Sequence, residues 1–268
     1  MQHIPVRHAS WQELLGSPTR SAHIVQVYES DDFLAAAVTL FAAEGLRQGE
    51  AVLLTGTPEH LAEVQRGLAS RGADPRAAIA SGQLCLYDVH EAIAQIITDG
   101  KPDAERFDAG VGTALSRATA DGRFSGVRWW GEITNTLVAQ GNAEAGLACE
   151  HLGNAAIEKH GVTIFCSWLD DKFDPAAYDG LLPQICACHS HVIPARDYVR
   201  HRLAVNRAVA EVVGEIRGPL LQSLLSWRDM RCDLPTSQAL LFWLHDAVPD
   251  KFHSVLERAR VYEAAEAS

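Results

Sequence analysis

Lysine is nearly missing from this chain: four occur in 268 residues, at Lys101, Lys159, Lys172 and Lys251. None falls in the first hundred residues, where a strand-turn-helix unit would have to offer one to a nucleotide. A phosphate loop needs Gly-x-x-x-x-Gly-Lys-Ser/Thr, glycines for backbone approach and lysine for the terminal phosphates. The run from Leu53 to Leu61 (LLTGTPEHL) has the right setting but one glycine, no lysine, and Glu59 to repel a phosphate. ATP-Mg binding of the phosphate-loop kind is therefore not expected. Basic residues are short overall, 23 Lys+Arg against 34 Asp+Glu for a net charge of −11. That field repels nucleic-acid backbones. The imbalance lies wholly before residue 196; beyond it ten basic residues meet ten acidic ones. Neither part is a basic nucleic-acid module.

Long apolar runs are missing too. The longest, around Leu34 to Ala43, is far short of the ~18 residues of a membrane span. Met1 to Leu15 has no apolar core of the kind a signal peptide carries. The six cysteines have no regular spacing, which fits reduced thiols in a cytosol better than a disulfide framework. A cytoplasmic protein is expected. Hydrophobic residues make up 47%, enough for a sizeable core.

What is present alternates between strand and helix. Ala22 to Tyr28, Ala51 to Thr55, Leu84 to Tyr87, Val127 to Trp130 and Val162 to Trp168 read as strands, with His191 to Ile193 a short sixth. Ser30-Asp31-Asp32 and Pro58 open helices, and further helices are expected over Val89 to Ile97, Asp103 to Ala120, Ala143 to Lys159 and Pro175 to Cys186. Strands apolar throughout, separated by helix-length segments, imply a mostly parallel sheet covered on both faces. The expected fold is a three-layer α/β domain over residues 21–194, after an N-terminal extension (1–20) and before a small helical appendage (195–268). In the appendage Arg196 to Ile216, Leu220 to Met230 and Thr236 to Ala247 read as helices. Its apolar content (Leu220, Leu221, Leu224, Leu225, Trp227, then Leu240 to Leu244) points to self-association, a homodimer, or partner docking.

Two constellations carry candidate chemistry. In Arg128-Trp129-Trp130-Gly131-Glu132 a strand delivers a carboxylate to its C-terminal end, where open α/β sheets bind ligands. Arg128 and Glu132 either form a structural ion pair or line a pocket with Trp129 or Trp130 as its wall. Tyr28, Thr55, Asp88 and Trp168 are expected on the same edge. The other constellation is Cys186-Ala187-Cys188-His189-Ser190-His191, four zinc or copper ligand types in six residues. Helical residues two apart diverge, however, so Cys186 and Cys188 would not converge on a helix. Cys149-Glu150-His151 would complete such a site only if the fold brought it near. Cys166, ending an apolar strand, reads as a small core residue, and His201, flanked by Arg200 and Arg202, is not a phospho-acceptor.

Five elements recur in order: Tyr28-Glu29-Ser30-Asp31-Asp32 after a strand beginning at His23, Gly45-Leu46-x-x-Gly49-Glu50, Gly82-Gln83-Leu84, Arg128-x-x-Gly131-Glu132, and His191-x-x-Pro194. Together they resemble the MEDS (methanogen/methylotroph, DcmR sensory) family over Ala22 to Pro194. The resemblance implies a divergent RecA/KaiC-like fold without its phosphate loop, which senses small organic compounds and accompanies histidine kinases or DNA-binding domains. This chain shows neither a kinase core nor a basic helix-turn-helix, so its output is expected to be a partner protein or something unusual in the helical tail. The leading expectation is a sensory or regulatory protein with no cofactor, binding a small, hydrocarbon-like molecule through His23, Tyr28, Arg128, Trp130, Glu132 and Trp168. The alternative is a metal- or redox-responsive regulator using Cys186, Cys188, His189 and His191. An enzyme with Glu132 and His23 or His191 as acid and base stands last, for want of a nucleophile-base pair.

Overall fold

The computed structural model describes residues 10–214 and 234–265. The strands are β1 (His23–Tyr28), β2 (Ala51–Gly56), β3 (Leu84–Asp88), β4 (Ile97–Thr98), β5 (Lys101–Pro102), β6 (Val127–Gly131), β7 (Thr163–Leu169) and β8 (His191–Ile193). Six of them form one all-parallel sheet in the order β3-β2-β6-β7-β1-β8, while β4 and β5 make a separate two-stranded hairpin. The six expected strands are thus the six sheet strands, each within two residues of its expected ends.

Side-chain alternation along the strands sorts the core by face. Ile24, Tyr28, Val52, Leu54, Leu84, Trp130, Phe165 and Ile193 meet the helices Trp11–Gly16, Asp31–Arg47, Pro58–Ser70 and Pro75–Ala80. On the other face Leu53, Trp129 and Ile164 lie under Val89–Ile96, Ile133–Ala139 and Ala143–His160. Beside them Val25, Val27, Trp168 and Val192 share a cluster with Leu182–Cys188 and the helices of the C-terminal region. The result is a three-layer α/β architecture.

Tyr198–Val213, Thr236–Ala247 and Pro249–Ala265 make up the described part of that region. They bury Val205, Val209, Leu240, Leu241, Leu244, Phe252, Val255 and Leu256 almost completely. Fully burying one such side chain stabilises by about 1.5–3 kcal/mol, so these contacts outweigh the region's surface ion pairs. The Leu240 to Leu244 stretch is therefore largely covered within the chain itself. The expected helix from Leu220 to Met230, with the rest of the apolar content that suggested self-association, lies outside the described residues.

Two expected helices are interrupted. Asp103 to Ala120 becomes Ala104–Phe107, a π-helical turn over Asp108–Gly112, and Thr113–Thr119. A Cβ at Gly112 would lie 2.4 Å from Asp108 Oδ1, so a larger residue there would have to displace that exposed carboxylate. Pro175 to Cys186 divides at Gly180 into Pro175–Asp179 and Leu182–Cys188. Short helices at Trp11–Gly16, Pro75–Ala80 and Ile133–Ala139 were not anticipated; few turns give little periodicity to read.

Arg128 is the second residue of β6 and is buried. Its Nε donates to Glu50 Oε2, and Nη1 donates to the carbonyls of Leu15 (2.8 Å) and Phe41 (3.1 Å). Nη2 reaches Gly16 O at 3.4 Å and Gln48 Oε1 at 3.3 Å. Glu132 is not its partner: the two stand at opposite ends of β6, about 13 Å apart by strand rise. The expected Arg128–Glu132 pair is replaced by Arg128–Glu50, which ties the start of β2 and the N-terminal helix to β6. Glu50→Ala should lower the unfolding free energy by about 3 kcal/mol, because a buried charge loses its counter-ion. Urea denaturation measures this; a loss below about 1 kcal/mol, the worth of an exposed pair, would mean the carbonyls satisfy the guanidinium unaided.

Candidate functional site

Glu132 follows β6 and is buried at the start of the Pro58–Ser70 helix. Its carboxylate accepts the Thr57 backbone N–H at 3.1 Å and the His60 Nδ1–H at 2.8 Å. Helix N-termini attract anions through their unpaired N–H groups; here the protein's own carboxylate takes that place. Gly56 permits the packing, since a Cβ there would lie 2.6 Å from the Trp130 ring and 2.9 Å from Glu132 Oε2. The turn after β1 is acidic as well, through Glu29, Asp31 and Asp32. Tyr28 is buried beside this edge, its hydroxyl accepting from Asn135 Nδ2 at 3.4 Å. Burial, with Glu132 and Asp31 close by, pushes the Tyr28 phenol well above its usual range.

The aromatic residues named from the sequence do not share one wall. Tyr28 and Trp130 belong to the first face, where Trp130 Nε1 donates to Ser167 Oγ at 2.8 Å. Trp168 faces the other side and donates to Asp170 Oδ2 at 3.0 Å. Arg128 lies at the far end of its strand. Trp129 instead lines a cavity of about 170 Å³. Its indole crosses the side-chain-free Gly131 to donate to Thr55 Oγ1 at 3.0 Å. Leu53, Tyr87, Ile96, Val111 and Ala114 complete the wall, with Asp88, Glu91 and Gln95 among the polar lining. The cavity lies by the C-terminal ends of β2 and β3, under the Val89–Ile96 helix and the π-turn. Asp88 is itself held as the cap of that helix, accepting from His90 N at 2.7 Å.

A buried polar cluster lies elsewhere on this second face. His23, Glu150, Cys166 and His189 bring one donor atom each to within 4.8 Å of one another. Glu150 Oε2 is 3.4 Å from His23 Nε2, 3.4 Å from His189 Nε2 and 3.7 Å from Cys166 Sγ, and Cys166 Sγ is 3.4 Å from His23 Nε2. β1 and β7 supply His23 and Cys166, and Glu150 projects from the Ala143–His160 helix. His189 ends the Leu182–Cys188 helix, held beside β1 by Ser190, whose Oγ accepts from His23 N at 2.9 Å. Of the run 186–191 only His189 enters the cluster: Cys186 belongs to the apolar core and His191 Nδ1 pairs with Ser190 Oγ at 2.8 Å. His23, named as a ligand contact, is here instead. Burial drives His189 down to about 3, with His23 adding to the effect. Burial alone would raise Glu150, but the neighbouring imidazoles outweigh it and hold the carboxyl at about 2. Burial and Glu150 also raise the Cys166 thiol well above its usual range.

The sequence offers Glu150 only with Cys149 and His151, as completing a metal site if the fold brings them near, and Cys166 only as a core residue, though a stronger signal existed. Ala145, Gly146, Cys149, Gly153, Ala156 and Ile157 form one buried helix face, and Glu150 is the charge within it. Cys166 shares its side of β7 with Ile164 and Trp168, facing the same layer as His23.

An open parallel sheet with a cavity at its strand ends and its own carboxylate at the helix start after β2 defines a protein of the α/β class. The profile of the MEDS family, the MEthanogen/methylotroph, DcmR Sensory domain, matches residues 22–190. The chain belongs to that family, and most of its length is a sensory domain. No curated protein and no solved structure matches it.

The Glu132 pair sets a pH dependence. The hydrogen bond to Glu132 raises His60 above its ordinary value, outweighing partial burial. A group raised in the folded state stabilises fully below its unfolded pKa of about 6.5 and loses that contribution as pH rises through the folded value. The stability difference between the wild type and His60→Asn should therefore shrink from pH 6 towards pH 9, read by urea denaturation. A difference that grows over this range would contradict the assignment.

Proposed function

We propose that this protein senses a small, largely apolar molecule in the cavity behind Trp129 and passes the signal through its C-terminal helices to a signalling partner. The cavity is the observation that carries this reading. At about 170 Å³ it compares with apolar cavities of about 150 Å³ that bind benzene. Leu53, Ile96, Val111 and Trp129 offer apolar contact, while Thr55, Asp88 and Glu91 fix orientation, the usual make-up of a small-molecule site. The π-turn forms one wall, and such turns recur at functional sites.

The route outward starts at the same sheet edge. Glu29, just after β1, pairs with Lys172, just after β7, at 2.6 Å. Lys172 also reaches Glu263 of the last helix at 3.3 Å, and Glu263 Oε2 accepts from buried His201 at 3.0 Å. Arg260 pairs with Asp171 at 2.7 Å. A ligand that shifts the strand ends would pull on the last helix through these pairs. The recipient is a kinase-type or regulator-type partner in the cytoplasm, and no catalytic step is assigned to this chain.

Ala114 lines the cavity and is half-buried, so Ala114→Phe should fill the cavity without opening the core. With benzene as probe, the wild type should gain melting temperature with concentration, and Ala114→Phe should not. An unchanged response in a folded Ala114→Phe protein would place binding elsewhere.

A further inference from the structure

We infer that His23, Glu150, Cys166 and His189 form a tetrahedral zinc site buried beside the sheet. This rests on the cluster's geometry and is independent of any ligand behind Trp129. A tetrahedral zinc ion with Zn–N of about 2.0 Å and Zn–S of about 2.3 Å separates its ligand atoms by about 3.3–3.8 Å. Four of the separations, all involving Glu150 or Cys166, are 3.4, 3.4, 3.4 and 3.7 Å.

The hydrogen bonds around the histidines aim the correct nitrogens inward. Asn154 Nδ2 donates to the Cys188 carbonyl at 3.1 Å, which turns Asn154 Oδ1 towards His23 Nδ1 at 2.9 Å. His23 Nδ1 must then carry the proton. His189 Nδ1 faces the Ile185 carbonyl at 2.7 Å and is likewise a donor. Metal-binding histidines are held in this way, one nitrogen donating to a fixed acceptor and the other left for the metal. The inner nitrogen of His189 has no hydrogen-bond partner although its side chain is fully buried. Such an orphan costs about 1–3 kcal/mol, unless a cation takes its lone pair.

Charge selects the ion. Binding displaces the Cys166 thiol proton to solvent, so the site supplies one thiolate, one carboxylate and two neutral imidazoles. A divalent ion makes that set neutral, as a buried site requires; monovalent copper would leave one negative charge. Mixed sulfur, nitrogen and oxygen donors in a tetrahedron favour zinc. Four protein ligands close the shell. The ion would pin the 182–189 segment to β1, β7 and the Ala143–His160 helix at once. An adjoining cavity of about 30 Å³ leaves room for the ion to enter.

Cobalt(II) reports the ligand set directly. The full chain, stripped with chelator and titrated with cobalt, should bind one equivalent and show intense visible bands of tetrahedral coordination with a thiolate charge-transfer band. Cys166→Ser should abolish the charge-transfer band, and Cys188→Ser should leave it unchanged. Glu150→Gln and His189→Ala should each weaken zinc binding more than 100-fold in competition with a chromophoric chelator. Should His189→Ala fail to fold, the wild-type and Cys166→Ser spectra decide alone. Weak octahedral bands, a charge-transfer band that survives Cys166→Ser, or no binding by the wild type would each overturn the site.

Discussion

A parallel sheet covered on both faces must satisfy every polar side chain placed in it, and this constraint governs the rest of the molecule. Unpaired polar groups in such a layer cost more than a typical hydrogen bond returns. Arg128 meets it with Glu50 and backbone carbonyls from the N-terminal and Asp31–Arg47 helices. Trp129 and Trp130 each meet it by sending an indole N–H to a hydroxyl on the neighbouring strand. His189 does not, and its orphaned nitrogen points into a group of metal-ligand side chains.

The same constraint shapes the sheet edge beside the Pro58–Ser70 helix. The helix start after β2 is an anion position, and Glu132 fills it from β6. A phosphate arriving there would meet a fixed negative charge held by His60 and the Thr57 amide. Polarity is thus spent on internal pairs at this edge. On the other face a cavity lies behind Trp129, where apolar contacts dominate. A small uncharged molecule suits that lining better than a phosphate does.

Much of the fold was legible because all six sheet strands are short apolar runs bounded by turn residues. The interruptions at Gly112 and Gly180 were hidden, since helix periodicity runs through a π-turn or a brief break almost unchanged. Site residues were harder to read. Alternation puts Arg128 and Glu132 on one face but says nothing of their partners, which come from Glu50, Thr57 and His60, more than seventy residues away in each case. Trp129, offered as an alternative wall, is the one that lines the cavity. The Cys/His run misled for a physical reason: the 182–188 helix ends at His189, so neighbours in sequence diverge in direction. Its true companions come from two strands and another helix, an arrangement only the strand order β7-β1-β8 brings together.

Whether the space behind Trp129 is an apolar site is tested most directly by a crystal structure under xenon pressure, since xenon enters dry apolar cavities. The expected result is a xenon peak bounded by Leu53, Ile96, Val111 and Trp129. Ordered water filling that volume, with no xenon, would contradict a site for a small apolar molecule.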